Sequence, residues 1–186
     1  MSVQRPRQVS VVVSRFSHGS ARNDMSNVWK IAPGYLAEDW DVSLEKGSIA
    51  LGWMRLRDFS KFRSEQHVLE ALIRAWPDDE DGNRDGAARS IWYFVSKVEP
   101  HDVIVANNGR CSVVGMGVVA SDYLPPNSPD NPVRNDKRVW RHHARLVEWV
   151  INKPVELDDP FFFGINAVTS LAAERVAKIR QAYAKK

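Results

Sequence analysis

Apolar and polar positions alternate along this chain in two rhythms, and both occur between Val28 and Phe62. Val28-Trp29-Lys30-Ile31 is a short apolar run stopped by Ala32-Pro33-Gly34. Leu36, Trp40 and Leu44 then recur at four-residue intervals up to Gly47, the spacing of one helix face. A second apolar run, Ser48-Ile49-Ala50-Leu51-Gly52-Trp53, breaks abruptly into Met54-Arg55-Leu56-Arg57-Asp58-Phe59-Ser60-Lys61. The pattern predicts strand, helix and strand. Ser64 to Trp76 predicts an amphipathic helix, capped by Ser64, with Val68, Leu69, Leu72, Ile73 and Trp76 on one face and Pro77 as its stop. An acidic surface loop from Pro77 to Asp85 precedes a further helix from about Gly86 to Val98.

Asp102 to Ala106 reads as a strand, Asn107-Asn108-Gly109-Arg110 as a hairpin turn, and Ser112 to Ala120 as the return strand. Gly115 and Gly117 mark a bulge or a close backbone approach. Tyr123 to Lys137, rich in Pro, Asn and Asp, is a long loop with little tendency to pack on itself. Val139 to Ile151 begins basic and becomes an alternating strand, Val155 to Leu157 is short and extended, and a last helix runs from about Ser170 to Tyr183. Near the start, Val9 to Phe16 has the β-branched content of an extra strand. A central hairpin excludes an all-parallel sheet, so the pattern predicts a mixed, strongly curved α+β barrel. Residues 1–27 form an N-terminal segment, 28–157 the domain, and 158–186 a loop and helix packed on it.

Composition narrows the function classes. At 186 residues, 44% hydrophobic and 26% charged, the chain is long enough for one hydrophobic core. The net charge of +3 permits nucleic-acid binding without demanding it. A single cysteine, Cys111, and an N-terminus without a secretory apolar region fit a cytoplasmic protein that does not meet a membrane. The chain contains no Gly-rich phosphate loop, His-Glu-x-x-His helix or Cys-x-x-Cys pair. His142 and His143 are adjacent on a strand, face opposite ways and cannot share a ligand. No metal, cofactor or catalytic set is expected, which favours a non-enzyme. Seven tryptophans remain to be explained. Trp29, Trp40, Trp76, Trp92 and Trp149 sit at face positions of strands or helices and read as core. Trp53, at a strand end and followed at once by Arg55, Arg57 and Lys61, suits a planar ligand attached to a phosphate chain.

Three stretches carry a family resemblance. Trp29-Lys30-Ile31-Ala32-Pro33-Gly34, then Ile49-Ala50-Leu51-Gly52-Trp53 with Asp58-Phe59-Ser60-Lys61-Phe62, and the hairpin from Asp102 to Val119 together resemble the EVE domain of the PUA-like superfamily. The likeness is greatest to the EVE-like modules of McrB-type modification-dependent restriction systems, and Trp140 to Trp149 resembles their basic-to-aromatic strand. It spans about residues 28 to 157 and keeps the order of elements. The resemblance implies an EVE/YTH-like, PUA-like curved barrel flanked by helices. It also implies a reader that flips a methylated or hydroxymethylated base, in DNA, into an aromatic pocket, as YTH domains do with N6-methyladenine in RNA. Carried over by position, Trp53 is the cage tryptophan, and Trp140, or Tyr123 across the same loop, is the second wall. Pro33 and Gly34 fall where the base edge is contacted, with Asp58, Ser60 and Asn108 completing the candidate pocket. Arg55, Arg57, Lys61, Arg141 and His142 are the candidate phosphate contacts. The implied partners are modified DNA and a separately encoded effector nuclease. An RNA-binding PUA-like module for tRNA or rRNA is the alternative, and an enzyme acting on a nucleotide or small heterocycle is a third reading.

Overall fold

The computed structural model describes residues 26–79 and 82–185; the strand expected at Val9 to Phe16 lies outside them. Among the described residues the chain forms seven strands: β1 (Val28–Ile31), β2 (Ser48–Leu51), β3 (Val103–Asn108), β4 (Ser112–Val119), β5 (His143–Ile151), β6 (Val155–Glu156) and β7 (Val168–Ser170). Four α-helices accompany them: α1 (Trp40–Lys46), α2 (Glu65–Ala75), α3 (Arg84–Ser96) and α4 (Ala173–Ala184). The sheet runs β2-β5-β4-β3-β1-β7, with β6 paired to the start of β4. Only β1 and β3 run parallel; the other pairings are antiparallel. The result is a mixed α+β fold with a strongly curled half-barrel sheet, as the alternation of elements predicts.

The local signals act as their chemistry dictates. Ser64 Oγ accepts the His67 N–H at 3.1 Å and starts α2. Asn83 Oδ1 does the same for α3 through Gly86 N–H at 2.9 Å. Gly47 closes α1 in the left-handed conformation, φ 56°. β7 was not visible as a strand. Three residues are too few to show alternation, and they are held by pairing antiparallel to β1.

The sheet is buried on both faces. Ile104 enters one hydrophobic cluster with Trp29, Leu51, Phe59, Leu72, Ile91 and Phe94, between the sheet and α2 and α3. Its neighbour Val105 points to a second cluster with Met116, Phe162, Phe163 and Ile179 of α4. Buried polar groups lock the frame. Trp29 Nε1–H donates to Asp102 at 2.7 Å, Lys30 Nζ donates to the Asn166 carbonyl, and Arg145 donates to Phe94 O at 2.9 Å, at the end of α3.

The segment between β4 and β5 departs from expectation. Rather than a loop that does not pack, it buries Asn131, Val133 and Val139 and is pinned at several points. Asn131 Nδ2 lies within reach of three carbonyls, Leu124 at 3.4 Å, Pro125 at 3.1 Å and His142 at 2.7 Å. Arg138 bridges Asp136 and Glu45 on α1, holding both carboxyls well below the ordinary range. Residues 139–142, expected as the start of the strand, instead form the fixed end of this segment, and β5 begins at His143.

Candidate functional site

β2 ends at Leu51, and Gly52 and Trp53 turn out of the sheet. Trp53 adopts a left-handed backbone, φ 59° and ψ 45°, which a non-glycine residue rarely takes. Its carbonyl accepts the Leu56 N–H at 2.9 Å and begins a 3-10 turn over Met54–Leu56. That turn brings Arg55 against the end of α2, where Nη1 donates to Ala75 O at 2.6 Å and Cζ lies 5.2 Å from the Trp76 ring. Trp140, at the end of the β4–β5 segment, lays its indole on Gly52. A Cβ at Gly52 would lie 2.5 Å from Trp140 Cζ3, so only glycine leaves the ring this seat.

These pieces enclose a cavity of about 520 Å³ lined by Trp53, Trp76 and Trp140, with Leu72, Met54 and Ala87 deepening it. Its polar lining comes from Arg55, Asp79, Asn83 and Arg84. Among the described residues Trp53 touches no other aromatic ring, and none of the three indole N–H groups has a hydrogen-bond partner. Trp29 and Trp149 differ, since their N–H groups bond inward to Asp102 and to Ser43 O. Trp140 is 57% exposed, a large apolar surface left open at the mouth.

Of the residues expected to build a base pocket, Trp53 and Trp140 line one cavity. The others stand elsewhere. Tyr123 belongs to the core. Its hydroxyl accepts the Phe59 N–H at 3.0 Å and bonds His143 Nδ1 at 2.7 Å, and its ring lies parallel to that of Phe59. Burial raises its pKa far above the ordinary phenol value. Asp58 and Ser60 satisfy each other as the cap of a 3-10 turn, with Asp58 Oδ1 accepting Ser60 N–H at 3.0 Å and Oγ–H at 2.7 Å. Asn108 pairs with Ser112 at the hairpin end. Pro33 and Gly34 lie behind the cavity wall: Gly34, φ 84°, leaves room for Arg141, whose Cζ lies 4.1 Å from the Trp140 ring.

The expected phosphate contacts divide in the same way. Arg141 is buried and committed, with Nη1 2.7 Å from Asp39 and Nη2 2.7 Å from Glu38. The guanidinium thereby holds Trp140 in position rather than facing a ligand. His142 bonds the Val133 carbonyl through Nδ1 at 2.6 Å and fastens the segment. Arg55 lines the cavity, and Arg57 is exposed on the turn that follows. Lys61 is 80% exposed and 3.9 Å from Asp58.

Trp76, expected in the core, also lines the cavity. It packs partly against the core but leaves α2 with φ −136° and ψ 71°. Pro77 follows it, and a residue before proline is pushed out of the helical region, which is the signal that would have moved it off the helix face. Asp79, Asn83 and Arg84 carried no signal beyond an acidic, Gly-containing loop. Among the described residues no cluster of three His, Cys, Asp or Glu side chains is placed to hold a metal, and no helix is long and apolar enough to cross a membrane.

Fold and cavity together define an α+β domain with a recess walled by indoles at the end of a strand. Residues 29–165 match the family described as a domain of unknown function (DUF8426), and the chain belongs to that family. No curated protein matches it in sequence. Among solved structures, it is similar to the YTH domain of the Zygosaccharomyces rouxii MRB1 protein, crystallised in complex with N6-methyladenosine RNA. That similarity has a TM-score of 0.45 and 12% identity, over 85% of this chain and 86% of that one.

Proposed function

We propose that this chain is a non-catalytic nucleic-acid-binding module that holds one modified base, flipped out of its strand, between Trp53 and Trp140. The observation that carries the reading is the cavity itself. At about 520 Å³ it falls within the range of small-molecule sites, and three indoles with unbonded N–H groups wall it. Flipping a base costs a few kcal/mol, and stacking on aromatic rings returns about 1–3 kcal/mol per base. Two indole faces therefore offset the cost. A methyl group adds only about 1 kcal/mol of apolar burial, so preference for a modified base is modest unless the walls exclude water around it.

Among the described residues the lining includes a carboxylate but no lysine or histidine, which favours holding a ligand over transforming it. Arg55, Arg57 and Lys61, on the turns after Trp53, engage the flanking phosphates in this proposal, giving salt-dependent affinity without sequence preference. The resemblance to EVE-like restriction modules makes DNA the expected strand.

The test is equilibrium binding to single-stranded DNA and RNA oligonucleotides carrying a central methylated or hydroxymethylated base, beside unmodified controls. Modified DNA should bind several-fold more tightly than its control, and Trp53→Ala should abolish that difference without unfolding the protein. Preference for modified RNA over modified DNA would move the module to the RNA-binding class. Equal losses on modified and plain strands would reduce it to an electrostatic surface.

A further inference from the structure

The proposed function leaves open which base edge the cavity accepts, and the connection between α2 and α3 bears on this. The Trp76 carbonyl oxygen, at the end of α2, accepts two hydrogen bonds. One comes from the Asp79 N–H at 3.3 Å and the other from Arg84 Nη2–H at 2.6 Å. Arg84 Nη2 also donates to Pro77 O at 3.1 Å. An anionic acceptor and a cationic donor are thus tethered to one atom, and both line the cavity beside the Trp76 ring.

Neither group is used up internally. Among the described residues the Asp79 carboxylate has no hydrogen-bond partner, no ion pair joins it to Arg84, and Arg84 Nη1 has no acceptor. Among the described residues Arg84 Nε is buried without a partner. The Asp79 carboxylate lies over the backbone of Gly82, where a Cβ would run into it. By contrast, Asn83 is occupied as the cap of α3 and by Asn166.

Resting on the base-binding reading above, we propose that Asp79 and Arg84 read the hydrogen-bonding edge of the base and select a donor beside an acceptor. Cytosine presents that pair as N4–H and N3, and adenine as N6–H and N1. Thymine, uracil and guanine present the reverse, a carbonyl oxygen beside a ring N–H, which would set the oxygen against the Asp79 carboxylate. A carboxylate only accepts, and leaving it desolvated against a second acceptor is costly, so the discrimination is large where the cavity closes on the base. The ligand class is therefore a modified cytosine or adenine that keeps an exocyclic N–H.

The test uses matched single-stranded oligonucleotides in which the base edge changes: 5-methylcytosine against thymine, which reverses donor and acceptor, and N6-methyladenine against 6-methoxypurine, which removes the donor and keeps the N1 acceptor. Within whichever pair binds, the N–H-bearing base should bind at least about tenfold more tightly. Asp79→Asn, at an exposed position outside the folded core, should keep the thermal unfolding midpoint and bring the two members to within about threefold. Equal binding within the pair by the native protein, or full discrimination by Asp79→Asn, overturns the assignment of the edge and leaves the base cavity standing. Binding of every oligonucleotide unchanged by Trp53→Ala would instead overturn the base reading and this inference with it.

Discussion

At the scale of single residues, the cavity depends on one glycine and one buried arginine. Gly52 gives Trp140 its seat, and the displaced group in a Gly52→Ala variant would be an exposed indole rather than backbone. The variant should therefore keep its stability to within about 1 kcal/mol, because the ring can swing outward, yet lose the preference for a modified base. Urea unfolding and oligonucleotide binding on the same sample separate the two effects. Arg141 behaves in the opposite way. It is 9% exposed and paired with Asp39, which is 8% exposed, so Arg141→Ala leaves a buried carboxylate without its partner. Loss of stability of about 3 kcal/mol is expected in denaturant titrations. A phosphate-binding arginine would instead give an unchanged unfolding midpoint.

At the scale of elements, the turn behind Trp53 is fastened to β5 by a stack of rings. Phe59 and His143 lie parallel with centroids 3.6 Å apart, and Tyr123 bridges to both. Burial lowers the His143 pKa from its ordinary 6.5 to about 3, so the imidazole stays neutral in the folded protein. As pH falls below 6.5 the unfolded chain takes up a proton that the folded chain refuses. Stability should therefore fall from about pH 6.5 downward, a loss complete only near pH 3, with a limiting slope of about 1.4 kcal/mol per pH unit. Urea midpoints at pH 7.5, 6.5 and 5.5 check this above the range where carboxylates titrate; a flat profile would contradict it.

The elements also show what could be read from the chain alone. Ser64, Gly47, Pro77 and the Asn-Asn-Gly turn carry their conformations in their own chemistry, so α1, α2 and the β3–β4 hairpin were legible. Trp53 was singled out in the sequence because an indole at a strand end followed by cations suits a planar ligand on a phosphate chain, and in the fold it lines the cavity while packing partly against the core. Trp76, Asp79 and Arg84 were not, since they reach the cavity only through the way α2 ends and α3 begins. The role of Arg141 was hidden for a related reason. Its partners Glu38 and Asp39 are about a hundred residues away, and no local pattern announces a buried ion pair.

For the whole molecule, the half-barrel sheet and its helices form the frame, and the proposed recognition surface lies where β2 leaves it. Affinity in this account has two separable parts: indole stacking, which senses the base, and the exposed cations Arg57 and Lys61, which sense phosphates. Replacing Arg57 and Lys61 together with alanine should weaken modified and plain strands alike and reduce the slope of log affinity against log salt by about 1–2, with stability unchanged. A change confined to the modified strand would place these cations at the base instead.

The most direct measurement is the crystal structure of the protein with a short oligonucleotide bearing the modified base. The account predicts that base turned out of its strand, with its ring between the indoles of Trp53 and Trp140 and its edge toward Asp79 and Arg84. A complex in which the base remains stacked among its neighbours and the cavity between those indoles stays empty would contradict it.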